Sequence, residues 1–285
     1  MPHSTAALRA DHLEAVTVIR ADGTSVTQEL REIWAYRELL QFLVWRSLKV
    51  RYKQTIVGAT WAIAQPLALG MVFSVFFGRY AKLPSDGLPH PVFFMCTVLP
   101  WTYVSTALLA TTTSLVDHQN LITKVYFPRI LLPLSTVLVG LVDFGIALVG
   151  LAVVLAFYAV PLPATAWLAP VAMGFAVVTA LGAGLWLSAA NAYYRDVRHA
   201  VPFLVQLLMF ASPVVYPASV VPEEWRVLFG LNPVTGVIET FRWALTGSGE
   251  APGGMLLAGL GVSVLLLVSG LVFFRRVEAT LADVV

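Results

Sequence analysis

Residues 130–158 read ILLPLSTVLVGLVDFGIALVGLAVVLAFY, and Asp143 is the only charged residue among them. A helix needs about 20 apolar residues to cross the hydrocarbon core of a bilayer, and this stretch is longer than that. Five other stretches contain no Asp, Glu, Lys or Arg: 56–78, 88–116, 163–194, 199–222 and 251–274. The pattern predicts an all-α integral membrane protein with six transmembrane helices, at about 56–78, 92–116, 130–158, 167–190, 200–219 and 252–274. A β-barrel would show short alternating segments, whereas these runs are continuous. The whole chain agrees. Its 285 residues are 58% hydrophobic and 12% charged, against about 25% charged in soluble domains. That balance excludes a soluble enzyme, a disordered tail and a DNA-binding domain, and no nucleic-acid partner is expected.

Basic residues give the orientation. Arg37, Arg46, Lys49, Arg51, Lys53, Lys124, Arg129, Arg195, Arg198, Arg275 and Arg276 fall on one side of the six spans. Arg79, Lys82, Arg226 and Arg242 fall on the other. Basic loops stay in the cytoplasm, so both termini of this multi-pass chain are expected there. The first apolar run lies too late and is too long for a cleaved signal peptide.

Between the spans, 222–247 is broken by Gly230, Asn232, Pro233 and Gly236. Pro222-Glu223-Glu224 and Asn232-Pro233 read as helix starts, and Gly247 as a stop. Two half-helices forming a re-entrant gate before the last span are expected, with a pair of interfacial helices as the plainer reading. Residues 1–33 are read as a cytoplasmic tail, either flexible or with a small hairpin around Asp22-Gly23 in 16–26. Residues 34–54 are read as an N-terminal amphipathic interface helix. Tyr36, Leu39, Leu40, Leu43, Ser47 and Val50 recur at helical spacing there, with Trp34 and Trp45 at headgroup level. The six-span domain then occupies 55–285.

Catalytic constellations are not found. Cys96 is the only cysteine, which rules out an intrachain disulfide, and the five histidines are scattered without metal-ligand spacing. Gly140 and Gly145 have the spacing of a phosphate loop, but Ile146-Ala147 stand where Lys and Ser or Thr are needed. No bound cofactor and no metal site are expected, and the chain is not read as an enzyme by itself. Asp143 stands alone inside a span, where an isolated charge costs about 2.5–3.5 kcal/mol. Either it bonds a neighbouring helix or it serves an ion-coupled carrier. The aromatics Trp61, Phe73, Phe76, Phe77, Trp101, Tyr103, Phe203, Phe210 and Tyr216 lie in the first, second and fifth spans. They suit packing, or a channel along which the apolar faces of sugar rings slide.

Several motifs then converge. Arg37-Glu38-Leu39-Leu40 leads through Leu48-Lys49-Val50-Arg51-Tyr52-Lys53-Gln54-Thr55 to Gly58, Trp61, Gln65 and Pro66. Leu99-Pro100-Trp101, Asn120-Leu121-Ile122, Lys124-Val125-Tyr126-Phe127-Pro128-Arg129, Asp143-Phe144, Asn191, Tyr194-Arg195-Asp196-Val197, Ser212-Pro213, Tyr216-Pro217 and Leu231-Asn232-Pro233 follow in order. Over about 30–275 the chain resembles the polysaccharide-export permeases of ABC transporters, the Wzm-like and TagG-like proteins. Ser47 departs from them, since many members carry an acid there.

The resemblance implies a homodimer in a bacterial inner membrane, with a pore mainly from the first and fifth spans. Two copies of a separate ATPase subunit would bind ATP and Mg. The substrate class implied is polysaccharide on undecaprenyl diphosphate, of O-antigen, capsule or teichoic acid type. The helix at 36–53 and the loop at 117–129 would dock the ATPase through Tyr36, Arg37, Glu38, Asn120, Lys124 and Arg129, with Arg195 and Asp196 close by. The nine aromatics would line the channel. Arg46, Lys49, Arg51 and Lys53 would recruit the lipid diphosphate. Trp225, Asn232, Pro233, Glu239 and Arg242 would belong to the gate. A drug or lipid exporter of the same architecture, and an ion-coupled carrier using Asp143, remain the other readings.

Overall fold

The computed structural model describes residues 26–53, 58–251 and 253–278, with side chains from 31 onward. Their regular elements are all helical. Helices α1 (Val26–Ala35) and α2 (Arg37–Lys53) precede α3 (Thr60–Phe73), which runs on as a π-helical turn, Ser74–Tyr80. Next come α4 (His90–Asp117), the short α5 (Gln119–Ile122) and α6 (Leu131–Phe157). A 3-10 turn, Ala164–Trp167, leads into α7 (Leu168–Tyr193), and α8 (Val197–Phe210) follows. After a second 3-10 turn, Ala218–Val220, come α9 (Glu223–Gly230), α10 (Pro233–Thr246) and α11 (Gly253–Glu278). Among the described residues, five stretches are long and apolar enough to cross a membrane: Thr60–Tyr80, His90–Asp117, Leu131–Phe157, Ala164–Tyr193 and Gly253–Glu278.

The fifth expected span is different. The run at 200–219 does not form one spanning helix, because α8 stops at Phe210 after 14 residues. That is about 21 Å of helix, short of the roughly 30 Å hydrocarbon core. Single prolines sit inside α3, α4 and α8, but Pro213 and Pro217 follow Phe210 four residues apart, and each biases the residue before it away from helical geometry. The carbonyls released by the break find donors elsewhere. Asn232 Nδ2 donates to Ala211 O at 3.1 Å, and Thr97 Oγ1 donates to Val214 O at 2.8 Å. Non-helical backbone is tolerated at such depth because these neighbours satisfy it.

The N-terminal region also departs from expectation. The hairpin at 16–26 falls almost wholly outside the described residues, and Val26 begins a helix instead of a strand. The interface helix is two helices that meet at Tyr36. The stripe on α2 is only partly packed. Leu43 is buried, while Val50 is exposed along with Phe42 and Trp45.

Helix α4 is the centre of the bundle. It packs against α3, α6, α7, α8 and α10. Phe93, Phe94, Val98 and Leu99 on α4 join Phe144 and Leu151 of α6, Ala172 and Ala176 of α7 and Phe241 of α10 in one core. A second cluster at the other end gathers Leu43, Leu115, Phe127, Leu131, Leu132, Leu185, Phe274 and Val277. The bundle is closed at that end by Arg129. Its backbone N–H donates to Glu278 Oε1 at 3.1 Å, and its guanidinium donates to the Glu278 carbonyl at 2.8 Å.

Small residues let α7 and α11 touch backbone to backbone, as membrane helices do when hydrophobic burial cannot drive them together. A Cβ on Gly182 would stand 2.6 Å from Leu267 N, and one on Gly270 would stand 2.6 Å from Gly182 O. Neither neighbour is a side chain that can turn away. Gly182→Val is therefore expected to destabilise the bundle by about 1–3 kcal/mol, read as a lower thermal midpoint in detergent. Gly261→Val, where nothing lies within 4 Å, should leave the midpoint unchanged.

Candidate functional site

A crevice of about 310 Å³ opens where the end of α2 and the start of α3 meet α4 and α6. Leu99, Pro66, Phe144 and Ala147 make its apolar wall, and Gln65, Thr102 and Thr106 add polar groups. Trp61 stands at its rim and is exposed. Tyr103 lines it from within, its hydroxyl donating to Val137 O at 3.4 Å.

Asp143 lies at the polar end of the crevice, midway along α6. The Arg51 guanidinium donates to Asp143 Oδ2, and the Tyr52 hydroxyl donates to Oδ1. The bond to a neighbouring helix expected for a lone acid in a span is thus present. Burial, followed by the bond to Asp143, pushes the Tyr52 hydroxyl up to about 12, so it stays protonated and donates. The pairing alters the expectation for Arg51. Its guanidinium meets a carboxylate at the middle of α6. The reason is the carboxylate itself, which needs a counter-charge and donors once away from water. Arg46, Lys49 and Lys53 are exposed.

A second charged cluster sits at the opposite end of the bundle from Glu278. Arg242 is buried, with its guanidinium 4.8 Å from the Phe93 ring centroid. One of its nitrogens is 2.9 Å from Asp86 Oδ2 and 2.5 Å from Glu239 Oε2. Glu239 Oε1 accepts from Ala218 N at 3.2 Å, and Ser219 Oγ donates to Asp86 Oδ1 at 2.7 Å. The cluster therefore joins the loop before α4, the 3-10 turn after α8, and α10. Asn232 adds a further tie. Its side chain caps α10 by accepting from Val234 N at 3.1 Å and donates to Ser212 Oγ at 2.8 Å. Of the residues assigned to the gate, Asn232, Glu239 and Arg242 are brought into these two linked networks. Pro233 opens α10, and Trp225 on α9 is exposed.

The aromatics divide into three groups. Phe73, Trp101 and Tyr103 are buried in the core, whereas Trp61, Phe76, Phe203 and Phe210 are exposed in the single chain. Phe77 and Tyr216 are half-buried. Only Trp61 and Tyr103 of the nine line the crevice. The loop after α4 shapes a smaller hollow of about 230 Å³ lined by Ile122, Lys124, Val125, Tyr126 and Arg129. Phe127 anchors that loop in the core, leaving Asn120 and Lys124 exposed. Arg37, Glu38, Arg195 and Asp196 are exposed, and Tyr36 is half-buried.

Asp86, Ser219 and Glu278 hold functional-looking contacts that the sequence did not single out. Each lies far along the chain from its partner, and no local spacing marks it.

Residues 38–246 match the protein family described as ABC-2 type transporter. The chain belongs to that family. Among ABC-2 type transporter chains, it is 31% identical to the O-antigen export system permease protein RfbA of Myxococcus xanthus, over 87% of this chain and 96% of that one. An O-antigen export system permease protein RfbA of Klebsiella pneumoniae is 28% identical, over 72% of this chain and 79% of its own. The polysialic acid transport protein KpsM of Escherichia coli is 23% identical over 86% and 95%. An ABC-2 transporter chain is a membrane subunit that works with an ATPase subunit. The match region takes in both the crevice and the Arg242 cluster, and stops before α11.

Removing one partner from a buried ion pair costs about 3–5 kcal/mol, because a charge is left uncompensated. Arg242→Leu should therefore sharply reduce folded yield and thermal midpoint. Arg226→Ala is the contrast. Its partner Glu250 is 73% exposed, and the loss should stay below about 1 kcal/mol.

Proposed function

We propose that the chain is the permease of an ABC exporter of polysaccharide, acting as a homodimer with two copies of a separate ATPase subunit. The near end-to-end similarity to O-antigen export permeases carries this reading. On the same reading the chain lies in a bacterial inner membrane with both termini in the cytoplasm. The cargo is a polysaccharide on undecaprenyl diphosphate, moved from the cytoplasm outward, of O-antigen, capsule or teichoic acid type.

The geometry supports a division of labour. Exposed apolar residues on α3 and its π-turn (Met71, Val75, Phe76) and on α8 (Phe203, Leu207, Phe210) suit contact with the second copy and with passing cargo. Rings present an apolar face to a sugar without gripping its hydroxyls. The buried Phe73 and Trp101 serve packing instead, and Tyr103 lines the crevice. Exposed Arg46, Lys49 and Lys53 on α2 are available to an anionic diphosphate at the cytoplasmic level. The loop around α5, with Asn120 and Lys124, and the exposed Arg37, Glu38, Arg195 and Asp196 offer the ATPase a docking surface. The α9–α10 pair, held by Asn232 and Arg242, is the outer gate. ATP binding by the partner drives the cycle only because the ATPase contacts the two states differently. Asp143, already joined to Arg51 and Tyr52, offers no support for an ion-coupled carrier.

A pull-down of the tagged chain from its native membrane is expected to bring an ATPase subunit in equal amount. ATP turnover should then rise when lipid-linked glycan is added. A chain that purifies alone would overturn the reading. Stimulation by drugs or simple lipids, but not by the glycan, would move it to another exporter class. The aromatics should also separate by role. Phe203→Ala and Phe210→Ala are expected to slow glycan export while folded yield holds. Trp101→Ala should cost about 3–5 kcal/mol of stability, seen as lost folded protein.

A further inference from the structure

Helix α2 connects two levels of the molecule. Leu43 is sealed into the cluster at one end of the bundle, beside Phe127 and Leu131. Eight residues on, about 12 Å along the helix, Arg51 reaches Asp143. Asp143 itself lies twelve residues beyond Leu131, about 18 Å up α6. The helix therefore climbs along α6 from the docking level to the crevice.

The contact at its upper end is specific. Successive residues on a helix point about 100° apart, yet the Arg51 and Tyr52 side chains converge on the two oxygens of one carboxylate. Two bonds from adjacent residues fix the roll of the last turn as well as its position. Arg51 and Tyr52 are themselves part of the crevice wall, and Gly58 and Trp61 continue it. Any displacement of α2 thus moves that wall.

The pair is not a buried bolt of the core. The Arg51 side chain is 50% exposed and that of Asp143 is 24% exposed. Side chains this accessible in the single chain are not part of the sealed core. The hub of the fold is α4, which already holds α3 and α6 together. What the pair adds is attachment of one rod to one wall.

We propose that Asp143 is a positioning residue for transport: it holds the end of α2 against the middle of α6, so that movement at the cytoplasmic docking level reaches the crevice. This rests on the reading of the chain as a subunit driven by a separate ATPase.

The test needs no cargo. The complex with its ATPase subunit, carrying Trp61→Cys as a reporter, is placed in nanodiscs and treated with a polar maleimide. Cys96 is fully buried and does not compete. Adding a non-hydrolysable ATP analogue should change the labelling rate about fivefold, the size of an ordinary coupling between sites. With Asp143→Asn the change should fall below about twofold. Arg51→Asp combined with Asp143→Arg should restore it, which loss of a merely structural contact does not predict.

An equal nucleotide response in Asp143→Asn, or no response in the parent, overturns the proposal. If Asp143→Asn fails to assemble, Tyr52→Phe decides. It keeps the charges and removes one bond, so a weakened response supports the proposal and a full one sinks it. Glycan export by the parent complex is measured separately. A complex that couples nucleotide to the crevice but carries no glycan would overturn the polysaccharide reading alone.

Discussion

A helix surrounded by other helices has no lipid to face, and α4 is close to that limit. Val92, Phe93, Cys96, Val98 and Val104 on it have no accessible surface. Inside a bilayer such packing draws on close contact and hydrogen bonding more than on escape from water. Each neighbour of α4 is therefore placed by fit. Gly70 of α3 lies against Met95, and Gly140 of α6 against the Tyr103 ring. Gly184 of α7 faces Thr111, whose hydroxyl also meets Thr136 of α6 at 2.9 Å. Asn191 reaches back from the end of α7 to the Thr112 carbonyl at 3.0 Å.

Around that dry axis, three charged sets among the described residues tie distant segments together, besides the exposed Arg226–Glu250 pair. Arg129 and Glu278 close one end. Arg51, Tyr52 and Asp143 meet halfway. Arg242, Glu239 and Asp86 close the other end. Each set joins segments that are distant in sequence and that hydrophobic packing alone would leave free to slide. The middle set is the most accessible in the single chain. The Arg242 set is the least, with Arg242 and Glu239 both nearly inaccessible. Burial of that kind punishes loss of a partner more than it rewards the pair. The Arg242 cluster therefore reads as a tie that fixes where α10 sits.

Much of this was legible in the sequence because membrane insertion leaves a one-dimensional record. Charge-free runs marked five spanning stretches to within a few residues, and the helix starts at Glu223 and Pro233 were written in Pro, acids and Asn. The fifth apolar run misled for a reason also present in the chain. Ser212-Pro213 and Tyr216-Pro217 place two prolines four residues apart at the break, but apolarity continued past them. Pairings were not legible. Nothing near Asp143 names Arg51, and nothing near Arg242 names Asp86, since each contact is made by tertiary folding. The burial of each aromatic was not legible either. Composition cannot tell a ring that fills the core, such as Trp101, from one that faces outward, such as Phe203.

The placement of charge also sets an order for biogenesis. Helix α6 carries one carboxylate at a cost of about 2.5–3.5 kcal/mol. Its many Leu, Val, Ile and Phe residues return about 0.3–0.6 kcal/mol each on the same scale. It can leave the translocon by itself and meet Arg51 afterwards. Helix α10 has only 14 residues and carries both Glu239 and Arg242. It has no such surplus. It must wait until α4 and the loop bearing Asp86 are in place, and then enter a bundle already built. The Arg242 end of the bundle is thus finished after α4, assembled by docking onto protein instead of by insertion into lipid.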